Sequence, residues 1–303
     1  MKQRSAMISI ALGACLWGII GIFVSSLYEK GFTPIQVVTL RVTMAAIFMS
    51  AYVIKKDHRL FRIPLSDSRY FIGTGIISIV LFNWCLFSAM EVTSISIAFV
   101  LLYTAPAFVT ILSFFLFKEA LTLRKITALL TTLVGCTLVI GLFPDVQGSI
   151  SLYGLLLGLG SGFFYALYSI FGKYALRKHN SLTVTVYTFL FAAVAVLPFS
   201  GLGERIAIFS QWEVWGLIAG LGFVSTMLPF VLYTKGLEYV ESSRASIIAT
   251  IEPVVASITG FLLFNETLTI WQYAGIAFVI GSVLMVQESR KTKAIQPAEG
   301  FNV

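Results

Sequence analysis

Ten apolar segments follow one another along this chain with only short connections between them. Each is close to the about 20 residues that an α-helix needs to cross a hydrocarbon core ~30 Å thick. They cover roughly residues 7–27, 34–54, 70–90, 95–117, 125–143, 152–176, 182–199, 213–236, 243–264 and 270–288. Inside a bilayer the backbone has no water to bond, so unbroken apolar runs of this length must be helical. Only 12% of the 303 residues are charged and 58% are apolar, where a soluble domain has about a quarter charged and about half apolar. The expected fold is an all-α integral membrane protein with ten transmembrane helices. The first run follows Lys2 and Arg4. It is longer than a secretory h-region and has no small-residue cleavage site, so it reads as a retained helix.

The net charge of +7 is distributed by loop. One side collects Lys55, Lys56, Arg59, Arg62 and Arg69, then Lys118, Arg124 and Lys125, then Lys173, Arg177 and Lys178, then Lys235 and Arg244. The two tails add Lys2, Arg4, Arg290, Lys291 and Lys293, whereas the other side has Lys30 and Arg205. By the positive-inside rule both termini are cytoplasmic, which an even number of spans requires. This makes the chain a multi-pass protein of the cell's inner (plasma) membrane, with residues 289–303 as a cytoplasmic tail. The bilayer therefore accounts for the basic residues, and no nucleic-acid partner is expected. Cys15, Cys85 and Cys136 all lie in apolar segments, so no disulfide framework is implied. His58 and His179 fall in basic loops, where a solvated role is expected.

Enzymatic readings find little support. No histidine lies in a span and no H-E-x-x-H occurs, so no metal or cofactor is expected. Gly160-Ser161-Gly162 offers a serine without a histidine base or the full G-x-S-x-G spacing. The chain has no G-x-x-x-x-G-K-[ST] loop, which excludes a nucleotide-driven pump on this chain alone.

A segment then recurs. Phe117-Lys118-Glu119-Ala120-Leu121-Thr122-Leu123-Arg124-Lys125 returns 147 positions later as Phe264-Asn265-Glu266-Thr267-Leu268-Thr269-Ile270-Trp271-Gln272. The F-x-E-x-L-T skeleton stays and the three basic residues go. At the same offset Glu91 matches Glu238, Ser96 matches Ser243, Ala98 matches Ala245 and Pro106 matches Pro253. Five spans per half reverse the direction of the second half, and the lost charges place the second loop on the opposite side. Two inverted five-helix repeats, 1–146 and 147–288, are expected, an arrangement typical of secondary transporters.

With these residues in view the chain resembles the EamA family of the drug/metabolite transporter superfamily. The features that carry the resemblance are Leu16-Trp17-Gly18, Arg41, Pro106, Ala245-Ser246, Glu252-Pro253 and Glu266-Thr267-Leu268-Thr269. The resemblance extends from about residue 7 to 288. It implies a ten-helix basket around a central cavity, with the fifth and tenth helices at the periphery, and movement of small metabolites, often amino acids outward. A multidrug efflux carrier is the alternative, with an intramembrane enzyme as the competing class.

Pro106 and Pro253 fall in mid-span, where proline removes a backbone hydrogen bond and clashes with the preceding turn. Paired bends in two inverted halves could gate the path, or could be static kinks. Glu252 and Arg41 lie deepest among the ionisable residues, and a charge at such depth usually faces a cavity or a partner. Glu252 could meet a substrate ammonium, carry a proton or pair with Arg41. Arg41 could hold a carboxylate or snorkel to its helix end. Trp17, Asn83, Trp84, Tyr103, Tyr165, Tyr168, Thr226 and Tyr233 complete the candidate wall, which would suit an apolar or aromatic solute with one polar end. Gly154, Gly158 and Gly162, with Gly216 and Gly220, place small residues every four positions. That spacing serves close helix packing, or dimerisation as a homodimer. Glu119 and Glu266, at helix ends, read as caps or loop pairs.

Overall fold

The computed structural model describes residues 3–142 and 151–287, with the side chains of 204–206 left aside. The expected tail at 289–303 and the repeat boundary at 146/147 lie outside those residues. Among the described residues nine helices are long and apolar enough to cross a membrane. They are α1 (Gln3–Glu29), α2 (Pro34–Phe61), α3 (Leu65–Val92), α4 (Ile95–Phe117), α6 (Leu152–Ala175), α7 (Ser181–Phe199), α8 (Trp212–Leu237), α9 (Ser242–Leu263) and α10 (Ile270–Gln287). A tenth, α5 (Leu123–Val139), has 17 residues, just short of the usual span. It is nevertheless paired along its length with α10.

Local sequence starts these helices. Thr33 opens α2 with a capping box, accepting from the Gln36 amide while the Gln36 side chain accepts from the Thr33 amide, and Pro34 follows at the first helical position. Thr122, Ser151 and Asn180 cap α5, α6 and α7 through their side-chain oxygens.

The helices pair as α1 with α8, α3 with α6, α2 with α7, α4 with α9, and α5 with α10. Exchanging each helix with the one five places along maps this set onto itself, as two pseudo-symmetric halves would. The irregular stretches follow the same rule. A π-helical stretch interrupts α3 at Ile72–Val80 and α8 at Phe223–Met227. The α-helix of α4 breaks between Leu102 and Ala105, just before Pro106. In α9 the break falls at Thr250, just before Pro253. Each break sits where proline cannot donate to the preceding turn, and π-helical stretches are common at functional sites.

Close contacts are built on small residues. A Cβ added to Gly162 would stand 2.8 Å from Thr104 Oγ1 and 2.9 Å from the Leu101 carbonyl oxygen, so α6 lies directly on the break of α4. Gly135 and Gly275 let α5 and α10 touch backbone to backbone, with Thr132 donating to Ser282 at 2.7 Å beside them. The spacing of Gly216 and Gly220 is not used in the same way. Gly220 meets Phe23, whereas Gly216 has nothing within 4 Å. Gly162→Val is therefore expected to destabilise the protein by about 1–3 kcal/mol through overpacking, with Gly216→Ala close to neutral. Thermal unfolding of the two purified variants in detergent checks the contrast.

Candidate functional site

Between α1, α2, α3, α4, α6, α8 and α9 lies a cavity of about 320 Å³. One end of the bundle carries the start of α1 together with the Lys- and Arg-rich connections; this is the basic end. The cavity wall climbs from Glu252 on α9 and Arg41 on α2 to Tyr28, Met90 and Ile95, which belong to helix ends at the opposite face. The cavity is thus open towards the opposite face and blind towards the basic end.

Its floor is aromatic. Trp17 meets Phe230 edge-on at 5.0 Å and Tyr233 at 5.4 Å, and Tyr168 meets Phe230 at 5.0 Å. Hydroxyls tie this floor together: Tyr168 shares a hydrogen bond with Thr234 at 2.6 Å, and Tyr233 one with Ser169 at 2.7 Å. Both tyrosine hydroxyls are thus satisfied by α6 or α8 while the ring faces fill the closure. One turn further, Lys173 donates to the carbonyls of Leu237 and Val240 at 2.6 and 2.8 Å, satisfying the open end of α8 with a cation.

The polar groups converge at the floor. Glu252 occupies the first turn after the α9 break, where the Tyr103 and Tyr165 hydroxyls face its carboxyl and the Arg41 charge acts on it. A recess of about 20 Å³ behind it is bounded by Tyr103, Pro106, Thr250 and Glu252. Two donors of cavity-lining residues, Arg41 Nε and Trp17 Nε1, are buried without a hydrogen-bond partner in the protein. Trp17 is only 5% exposed, and a buried unsatisfied donor is costly.

Of the candidate residues, Trp17, Arg41, Asn83, Tyr165, Tyr168, Tyr233 and Glu252 line the main cavity, and Tyr103 and Pro106 line the recess. Pro253 follows Glu252 inside α9 without lining either space. The structure does not bring Trp84 or Thr226 to the wall. Trp84 is 58% exposed on the outer surface, because neighbours on a helix point about 100° apart and Asn83 takes the inward direction. Thr226 is fully buried and donates to the Leu221 carbonyl at 2.8 Å, filling the π-helical stretch of its own helix. The wall also contains Ser78, Phe82, Phe87 and Phe99. Their sequence context is that of any apolar span, and carries no signal to mark them.

The basic end is closed by ion pairs. Glu119, at the end of α4, accepts from the Ser242 and Ser243 amides at 2.7 and 3.2 Å and from the Ser243 hydroxyl. Lys125 lies 3.8 Å from Glu119 and 3.0 Å from Glu241, with its side chain 5% exposed. His179 is not a solvated loop residue. Its side chain is mostly buried, with Nε2 2.9 Å from Asp67, which also pairs with Lys178 at 3.1 Å, because the turn before α7 folds back onto the start of α3.

A polytopic helical bundle around a mostly apolar cavity with one Arg and one Glu at its blind end is the build of a membrane transporter. The EamA-like transporter family matches residues 4–141 and again residues 152–287, and the chain belongs to that family. An archaeal relative from Archaeoglobus fulgidus, described as an uncharacterized transporter, is 29% identical over 93% of this chain and 96% of its own. The threonine/homoserine exporter RhtA of Escherichia coli is 27% identical over 70% of each chain. A solved crystal structure at 17% identity superposes with a TM-score of 0.77, covering 93% of this chain and 96% of that one, and shares the fold.

Proposed function

We propose that the protein exports small zwitterionic metabolites, amino acids foremost, across the inner membrane by alternating access of two inverted repeats. The basic end is cytoplasmic by the positive-inside rule, so the structure is an outward-open state. The observation that carries the reading is that Glu252 and Arg41, of opposite charge, both line the blind end of the cavity. A substrate carboxylate fits the Arg41 guanidinium, and an ammonium group fits Glu252. The remaining wall of Phe82, Leu86, Phe87 and Phe99 takes an apolar side chain. A volume of about 320 Å³ is at the small end of ligand pockets, which run ~300–1,000 Å³; this favours metabolites over large drugs. The similarity to RhtA, a threonine/homoserine exporter, supports the same class.

The π-helical stretches of α3 and α8 and the breaks of α4 and α9 supply the bending points for the two halves. Pro106 and Pro253 fix those breaks, and rocking of such elements around a central site is how inverted repeats alternate access. The test is thermal unfolding of purified protein against a panel of amino acids and cationic drugs. Ligands that bind only the folded state raise the apparent midpoint by mass action. Zwitterionic amino acids are expected to raise it, with the effect lost in Arg41→Gln. Stabilisation by lipophilic cations alone would shift the reading to drug efflux.

A further inference from the structure

The repeated F-x-E-x-L-T segment has two copies in different environments. Lys118 and Asn265, 147 positions apart, both adopt the left-handed region, with φ of 58° and 55°. A non-glycine residue there is uncommon, and the next amide is turned inward in the same way in both copies. Glu119 donates its amide to the Ser113 carbonyl and Glu266 to the Gly260 carbonyl, each at 3.2 Å. Ser113 and Gly260 are again 147 positions apart. The same backbone turn therefore presents both glutamates.

Their side chains do opposite things. Glu119 is 8% exposed and seated on the first amides of α9, at Ser242 and Ser243. Glu266 is exposed, with its carboxyl folded over the bare Cα of Gly260. The positions equivalent to Ser242 and Ser243 are Ile95 and Ser96, the first residues of α4. Ile95 is 66% exposed and lines the cavity mouth. The first turn of α4 is meanwhile capped by its own Ser94, whose hydroxyl accepts from the Ile97 amide at 3.2 Å.

We propose that Glu119 and Glu266 are alternating latches. Glu119 holds the basic end shut in the state seen here, and Glu266 docks on the Ile95 and Ser96 amides and the Ser96 hydroxyl when the opposite end closes. The dipole and free amides of each helix start favour a carboxylate. Docking would bring the end of α9 onto Ile95 and so cover the cavity mouth. The two latches are unequal. Lys125 stands beside Glu119, whereas its counterpart Gln272 is neutral and donates to the Val139 carbonyl at 3.2 Å. The inequality biases the resting protein towards the outward-open state. The inference rests on the inverted-repeat reading above, and gives a role to the glutamates that the sequence placed only at helix ends.

The test reads which end is open, whatever solute is carried. In a background with Cys15, Cys85 and Cys136 replaced by Ser, Gly21→Cys places a thiol on the cavity wall where an added Cβ meets nothing within 4 Å. Its labelling by a membrane-impermeant maleimide added outside reports the open mouth. Glu119→Gln is expected to slow labelling about tenfold, as loss of a hydrogen-bonded charge shifts the two-state balance. Glu119→Gln with Glu266→Gln together should restore much of the rate, because the competing latch is lost as well. Independently, Glu266→Cys with Ser96→Cys should be joined by a short bifunctional thiol reagent, and joining should block labelling at Gly21→Cys. If Glu119→Gln does not fold, this cross-link decides. A wild-type labelling rate in folded Glu119→Gln, or a cross-link that does not form, overturns the latch. Either result leaves the transport reading to its own binding test.

Discussion

Replacing Glu252 by Gln is expected to lower solute transport about tenfold or more, the scale of losing a hydrogen bond to a charged group. The carboxylate sits in the middle of a span, faced by Tyr103 and Tyr165 and within the field of Arg41. We propose that it holds the substrate ammonium group and, when protonated from outside, releases it. An inward-directed proton gradient is then expected to accelerate export by the native protein, with no such response in the Gln variant. The measurement is initial efflux rate from loaded vesicles at several external pH values. A Gln variant with native rate and native pH dependence removes Glu252 from the mechanism. The fold should survive, because Gln keeps the shape and can still bond both tyrosine hydroxyls.

The second large effect concerns stability. Glu119→Ala removes the acceptor of two amides and a hydroxyl and strips Lys125 of one of its two carboxylates. Leaving a buried donor without its acceptor costs about 1–3 kcal/mol, and the buried Lys125 keeps only Glu241. The thermal midpoint in detergent is expected to fall steeply. Glu119→Ala combined with Lys125→Met should recover part of the loss, because a buried charge left with Glu241 alone goes too. An unchanged midpoint in Glu119→Ala would show that the basic end is held by other contacts. Glu266→Ala, at the exposed copy, is expected to leave the midpoint within about 0.5 kcal/mol of native, as for surface positions.

Much of this architecture was legible because the bilayer constrains a sequence more tightly than water does. Spans announced themselves by length, and Pro106 and Pro253 marked the breaks of α4 and α9 within a few residues. The depth of Glu252 and Arg41 placed them near the cavity, since charges at that depth have few other places to go. What the sequence does not carry is helix rotation. Nearly every position in a span is apolar on all sides, so periodicity cannot separate the lipid face from the cavity face. Asn83 and Trp84 are adjacent, yet one lines the cavity and the other is on the outer surface. The π-helical stretches of α3 and α8 shift the faces again, and no residue type announces them. Thr226 is spent on such a stretch.

Contacts between distant segments were equally silent. Glu119 was recognisable as a helix-end carboxylate, but its partner start is 123 residues away. His179 lay in a basic loop by sequence and is paired with Asp67 across 112 residues. Lys173 counted as an orientation charge and closes the end of α8. In each case a residue type fit for one role at its own helix serves another helix instead.

The central claim is that solute binds at Glu252 and Arg41 and is carried between two faces. Counterflow in liposomes tests it most directly. Purified protein is reconstituted with unlabelled threonine or phenylalanine inside, and uptake of the labelled compound is followed. Transient, saturable accumulation of at least one amino acid is expected, lost in Glu252→Gln and in Arg41→Gln. No counterflow of any amino acid or drug in a broad panel, by protein whose thermal transition shows it folded, would contradict it.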